Sequence, residues 1–222
     1  MQSTPPGAIV RNLTFQSENL GRDTTILLVF DTDMEGLYDT IYPVVWKTFT
    51  FPKTDWYSYN VTYSDDLGFS KVRIGNRNLL DTLGHFKLKP GQKTTLSLND
   101  DDDLRFSLPV NGTNDYLTAE NETGFHQDLA VGFYDPSRTF TYGPAPMLFF
   151  KEVGNGSKAT AQCKPVLRIY VESDYRETEV LVDAIKSTAI LEQDLHQLFR
   201  NTVFNLERNM LTGRYKLTKT KP

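Results

Sequence analysis

The chain has 222 residues, a formal net charge of −4, and 39% hydrophobic and 12% aromatic residues. The acidic balance argues against a nucleic-acid binder, which needs a basic face, and the aromatic content argues against disorder. The longest apolar runs are strand-sized, and the first residues lack the segments of a signal peptide. With Cys163 as the single cysteine, these features predict a cytoplasmic protein without nucleic-acid or membrane partners.

Short alternating segments separated by turn residues predict a mainly β protein. Residues 1–7 are expected to form a flexible arm, and residues 8–222 a single β-rich domain. Turn signals recur at about 8–12 residues, which favours an antiparallel β-sandwich or barrel-like fold with little helix. The predicted strands cover residues 8–15, 24–30, 46–51, 57–63, 69–74, 79–88, 93–98, 104–110, 126–134, 140–142, 147–153 and 166–172.

The region 177–199 contains two competing patterns. Apolar residues recur at helical spacing along it, but residues 179–185 also alternate as a strand does. We expect a strand followed by a short helix at residues 189–198. Beyond it, residues 202–206 and 214–218 are predicted to form a closing hairpin.

The segment from Tyr42 to Tyr63 is the most aromatic part of the chain, with both tryptophans and six other aromatic residues. Large side chains alternate on both sides of Pro52, which predicts two strands and a turn. Such residues ordinarily form core, but a buried tyrosine needs a partner for its hydroxyl group, so a wall facing a ligand is the alternative. The residues expected to line a ligand site are Trp46, Trp56, Tyr57, Tyr59, Tyr42 and Phe49.

An acidic loop offers a candidate metal site. Asp31, Asp33 and Glu35 occupy positions 1, 3 and 5 of a calcium-loop pattern, with Gly36 at position 6. Position 12, where that pattern needs a bidentate glutamate, is Tyr42, and the flanking segments are predicted strands instead of helices. An ordinary acidic loop is therefore favoured, with calcium or magnesium bound by Asp31, Asp33 and Glu35 as the alternative.

The sequence shows no catalytic constellation. It lacks the G-x-S-x-G pattern of hydrolases, and its three histidines lie in unrelated local contexts. The glycine pattern at 154–159 is that of a dinucleotide fingerprint, but too few residues follow it for the helix that binds the pyrophosphate. Carboxylates that are distant in the sequence can still meet in the fold, as they do in glycosidases. Catalysis by such a pair stays open.

Three C-terminal stretches, VLRIYVESDYRETEVLVDAI at 166–185, LEQDL at 191–195 and LTGRYKL at 211–217, resemble the ending of a group of basidiomycete (mushroom) proteins. NLTF at 12–15 and PGQKTTL at 90–96 are similar to the same group. The resemblance implies a β-sandwich-like fungal protein with a binding role and no established catalytic motif. It extends to oyster-mushroom chromoproteins, and so implies a non-covalent, indolone-type pigment as cofactor.

Together these features favour a non-enzymatic protein that holds a small aromatic molecule, such as a pigment, in an apolar pocket. The alternative is a carbohydrate-binding lectin, in which aromatic rings stack on sugars and polar side chains bind their hydroxyl groups. An enzyme with sequence-distant carboxylates is the third hypothesis. The oligomeric state is open.

Overall fold

The computed structural model describes residues 8–31, 36–136, 143–162 and 164–220. The predicted arm 1–7, the predicted strand 140–142 and Cys163 lie outside these ranges. The described chain is mainly β and β-sandwich-like, which confirms the predicted fold class. Its strands are β1 Val10–Ser17, β2 Thr24–Val29, β3 Ile41–Pro43, β4 Val45–Phe51, β5 Tyr57–Ser64, β6 Leu67–Ile74, β7 Leu80–Leu88, β8 Gln92–Leu98, β9 Leu104–Phe106, β10 Val110–Asn111, β11 Leu117–Glu122, β12 Gln127–Phe133, β13 Ala145–Val153, β14 Lys158–Ala161, β15 Val166–Val171, β16 Leu191–Asp194, β17 Asn201–Arg208 and β18 Tyr215–Lys219.

These strands form four sheets. Their strand orders are β18-β17-β1-β5, β16-β15-β2-β4, β3-β13-β12-β6-β7 and β10-β8-β11-β14, with β9 also pairing with β8. Most pairings are antiparallel, as expected, and β17 and β18 form the predicted closing hairpin. Two pairings are parallel, between β1 and β17 and between β8 and β11. Each of these brings together strands that are separated in the chain, which local alternation cannot predict.

The aromatic segment forms two strands, as predicted, but they belong to different sheets. β4 pairs with β2, whereas β5 pairs with β1. The two strands face each other through their side chains, since the rings of Phe49 and Tyr59 stack with centroids 4.6 Å apart. The segment thus carries the chain from one sheet to another.

A single cluster of buried side chains draws on all four sheets. Phe15, Phe51, Leu117 and Phe133 belong to it and are fully buried. Burying one such side chain is worth roughly 1.5–3 kcal/mol relative to leaving it exposed. A shared core of this kind is typical of one domain.

The prediction for residues 177–198 is wrong in both parts. Residues 177–190 make only isolated bridges, at Val180 with Val44 and at Glu179 with Leu79. Residues 191–194 are strand β16, and 195–197 form one 3-10 turn, with the Asp194 side chain accepting a hydrogen bond from the backbone N–H of His196. Pairing with β15 satisfies backbone groups that a helix would otherwise satisfy internally. No helix in the described ranges is long and apolar enough to cross a membrane.

The irregular segment covers the outer side of the sheet that contains β2. Leu27 and Val29 pack on Leu181, with Ile185 against the same cluster, while Ile26 and Leu28 face the main core. Both faces of β2 are therefore buried by the chain itself. This accounts for the continuous apolar run at 26–30, because a strand covered on both sides does not need polar alternation.

Gly132 provides a test of the packing between β12 and β13. It lies at a β-bulge, and an added Cβ would stand 1.9 Å from the carbonyl oxygen of Ala145. We expect Gly132→Ala to lower the free energy of unfolding by at least about 2 kcal/mol, because the backbones must separate. Urea unfolding measures the change.

Gly84→Ala is the matched control, since Gly84 also lies in a strand beside a register shift. An added Cβ there meets no atom within 4 Å. We expect a change within about 0.5 kcal/mol. Equal unfolding midpoints for the two variants would contradict the described packing.

Candidate functional site

Two of the predicted ligand-binding residues belong to the core. Trp46 is 4% exposed, and its ring lies 5.3 Å from that of Phe30 and 5.1 Å from that of Phe133. Phe49 is 7% exposed and lies between Tyr59 and Phe15. Packing of these rings on one another is what a hydrophobic core requires.

Two predicted tyrosines are half-buried and bonded to the main chain. The hydroxyl group of Tyr59 donates to the carbonyl oxygen of Thr50 at 2.7 Å, and that of Tyr42 donates to the carbonyl oxygen of Asp39 at 2.6 Å. Burial, followed by the nearby Tyr57, raises the pKa of Tyr59, so its hydroxyl group stays protonated as a donor. The requirement for a polar partner, which favoured a ligand, is met by the protein itself.

Trp56 and Tyr57 are the predicted residues that reach the surface, with exposed fractions of 60% and 45%. Trp56 precedes β5 and lines an open cleft of about 310 Å³, here termed the Trp56 cleft. The structure therefore does not bring the six predicted residues together. The other residues that line the Trp56 cleft are Gln16, Ser17, Glu18, Asn205, Leu206 and Glu207.

The outer face of the sheet β18-β17-β1-β5 carries side-chain amides and hydroxyl groups, and is here termed the amide face. The register places these groups side by side, because β17, β1 and β5 align residue by residue. Cross-strand hydrogen bonds of 2.6–2.8 Å join Gln16 to Asn205, Asn12 to Asn201 and Thr14 to Asn60. The amide face consists of Asn12, Thr14, Gln16, Asn60, Thr62, Asn201 and Asn205.

Charge on this face is confined to one corner. Glu207 and Lys216 lie opposite each other across β17 and β18, while the other outward-facing residues of these four described strands are uncharged. Solvated protein surfaces usually intersperse charges of both signs. Amides instead offer both a donor and an acceptor without a charge. The Trp56 cleft lies at this corner, because Glu207 lines it together with Gln16 and Asn205.

Trp46 is reached by a smaller cleft of about 150 Å³, here termed the Trp46 cleft. At its rim, Lys47 Nζ lies 2.7 Å from Glu177 Oε2. Pro144 and Pro146 form an apolar part of the wall of this cleft, and Asp135 also lines it.

Asp31, from the candidate metal loop, has its side chain buried inside the protein. It is 4% exposed, the hydroxyl group of Tyr170 donates to its Oδ2 at 2.7 Å, and Arg168 Nη1 lies 3.8 Å from its Oδ1. Burial and then this hydrogen bond raise the pKa of Tyr170 above its usual value. Among the described residues no group of three or more His, Cys, Asp or Glu could hold a metal ion. Asp33 and Glu35 lie outside the described residues.

Sequence reasoning missed the amide face, although part of its signal is visible. Asn12, Thr14 and Gln16 alternate with apolar residues, as do Asn60 and Thr62 on β5. Uncharged polar residues at alternate positions of several predicted strands would have indicated a neutral face. Their assembly into one surface depends on the parallel pairing of β1 with β17.

No model of a known protein family matches the chain. It is likewise without a significant match among curated proteins or solved structures.

Proposed function

We propose that the protein is a non-enzymatic, lectin-like protein that binds a neutral glycan on the amide face, with Trp56 stacked on a sugar ring. One observation carries this proposal: Trp56, largely exposed, shares its cleft with Gln16 and Asn205, a hydrogen-bonded pair of uncharged amides at the end of the amide face. The indole ring offers a large, rigid apolar surface. The amides supply both kinds of hydrogen-bonding group that sugar hydroxyls need.

The amide face is preorganised for such a ligand. The hydrogen bond between Gln16 and Asn205 is 2.6 Å long, and those from Asn12 and Thr14 are 2.8 and 2.7 Å. Holding these side chains in place beforehand reduces the conformational entropy lost on binding. Each amide retains further donor or acceptor capacity, because one hydrogen bond uses only part of it.

The cleft favours binding over cleavage. Its two carboxylates, Glu18 and Glu207, are both exposed to solvent. A glycosidase instead holds its general acid in a desolvated environment, opposite a second carboxylate at a set separation. In this site the carboxylates at the rim serve as acceptors for sugar hydroxyl groups.

A glycan array that contains neutral and acidic glycans tests this proposal. We expect neutral glycans to bind the wild-type protein, and Trp56→Ala to weaken binding about thirtyfold, the loss of an aromatic anchor. Asn205→Ala is expected to weaken binding about fivefold, since it removes one neutral hydrogen-bonding group.

Phe125→Ala is the matched control, because Phe125 is an aromatic residue of similar exposure in the loop before β12. It should leave glycan binding unchanged. Urea unfolding of Trp56→Ala should match that of the wild type within about 1 kcal/mol, as expected for a surface position. A wild-type protein that binds no glycan, or undiminished binding by a folded Trp56→Ala, would refute the proposal.

A second candidate function is the binding of a planar pigment at the Trp46 cleft. The observation that favours it is a recess that ends on a buried indole beside the ion pair of Lys47 and Glu177. Its volume of about 150 Å³ is below the usual range for small-ligand sites, roughly 300–1,000 Å³. It accommodates one ring of such a molecule, whose polar substituents would contact the ion pair.

The visible absorption spectrum of protein purified from its native source tests this second candidate. Bound pigment should give an absorption band and an organic molecule in the mass spectrum of the denatured protein. Lys47→Met should shift or weaken the band, because it removes the cation at the rim. A colourless protein without a bound small molecule would rule out the pigment.

A further inference from the structure

A separate groove lies on the sheet β10-β8-β11-β14. Its base is set by the register, which aligns Lys93, Thr118 and Thr160 across three adjacent strands. The next pair along the strands is Glu120 with Lys158. The groove has a volume of about 390 Å³, within the range of small-ligand sites.

The loop after β10 lines part of the groove, through Gly112 and Thr113. The backbone N–H of Gly112 donates to the carbonyl oxygen of Gly91, and the N–H of Gly91 donates to that of Tyr116. An added Cβ at Gly112 would stand 3.2–3.3 Å from atoms of Gln92 and Lys93, so glycine allows the loop to lie close to β8. This brings the side chains of Asn111 and Tyr116 to the groove.

Two ammonium groups in the groove share one carboxylate. Lys93 Nζ and Lys158 Nζ lie 3.9 and 3.8 Å from the two oxygens of Glu120. A charge-assisted hydrogen bond is about 2.7–2.9 Å long, and Lys47 with Glu177 shows that distance, 2.7 Å. Within the described ranges, neither Lys93 nor Lys158 makes such a short contact. The trio carries one net positive charge in a protein of net charge −4.

The rest of the lining matches a hydroxylated molecule. Every lining residue except Gly112 has a side chain that can form hydrogen bonds. The hydroxyl groups of Thr118 and Thr160 lie 3.4 Å apart on the floor, which is a weak contact that a ligand oxygen can replace. Besides the two lysines, the hydrogen-bonding residues are Asn111, Thr113, Tyr116, Thr118 and Thr160.

We propose that this groove binds a small hydroxylated acid of the sugar-acid class, with its single anionic group between Lys93 and Lys158. The anion takes the donors that Glu120 leaves available, and the hydroxyl groups bind the threonines and Asn111. The site lies on a different sheet from the amide face, so it does not depend on glycan binding there.

Calorimetric titration with D-glucuronate, glucose and inorganic sulfate tests the proposal. We expect glucuronate to bind at least about tenfold more tightly than either of the others, because only glucuronate has both the charge and the hydroxylated body. Its affinity should fall as salt is added, as for any partly exposed charge pair.

Substitutions in the groove should act in opposite directions. Lys93→Gln and Lys158→Gln are each expected to weaken glucuronate binding about fivefold, whereas Glu120→Gln should strengthen it by a similar factor by removing the competing carboxylate. Lys53→Gln, at an exposed lysine in the turn before β5, should have no effect.

Four results would overturn the proposal. They are the absence of glucuronate binding, equal affinity for glucose, equal affinity for sulfate, and unchanged affinity in a folded Lys93→Gln/Lys158→Gln variant. Two further measurements separate this site from the amide face. Trp56→Ala should leave glucuronate affinity unchanged, and the groove variants should leave binding to the glycan array unchanged.

Discussion

The packing of aromatic rings between sheets, centred on the stacking of Phe49 on Tyr59, is the interaction that joins β4 and β5 across two sheets. The rings are 4.6 Å apart and belong to strands in different sheets. Phe15 and Phe51 extend this contact on either side, so the aromatic segment holds two sheets face to face. Trp56 lies in the turn between these two strands and is exposed. One stretch of sequence thus supplies both core and candidate site.

The fold class could be read from the sequence because strand alternation is local. Residues 12–16 alternate between polar and apolar side chains. In β1 the apolar members of this pattern are buried and the polar members are partly exposed. The partner of a strand is set by contacts that are distant in the chain. Asn12 and Asn201 are joined only because β1 and β17 pair in parallel. The candidate site was therefore visible as separate polar stripes but not as one face.

The aromatic residues and the segment at 177–198 show where a periodic pattern is insufficient. Trp46 and Trp56 were both predicted to line a ligand site, yet one packs between Phe30 and Phe133 and the other is exposed. Spacing near Leu191 was that of a helix, but the unpaired edge of β15 offered hydrogen bonds to residues 191–194. In both cases the outcome depends on tertiary contacts with residues distant in the chain, which local periodicity does not reveal.

The two polar surfaces differ in the kind of ligand that they can discriminate. The amide face presents neutral donors and acceptors that are already bonded to one another, so an anionic ligand gains no compensating positive charge from them. The groove on β8, β11 and β14 presents two ammonium groups at more than hydrogen-bond distance from their shared carboxylate. An anion can form charge-assisted hydrogen bonds with these ammonium groups, whereas a neutral ligand can form only weaker ones. Charge, and not the shape of either surface, therefore separates the two proposed ligands.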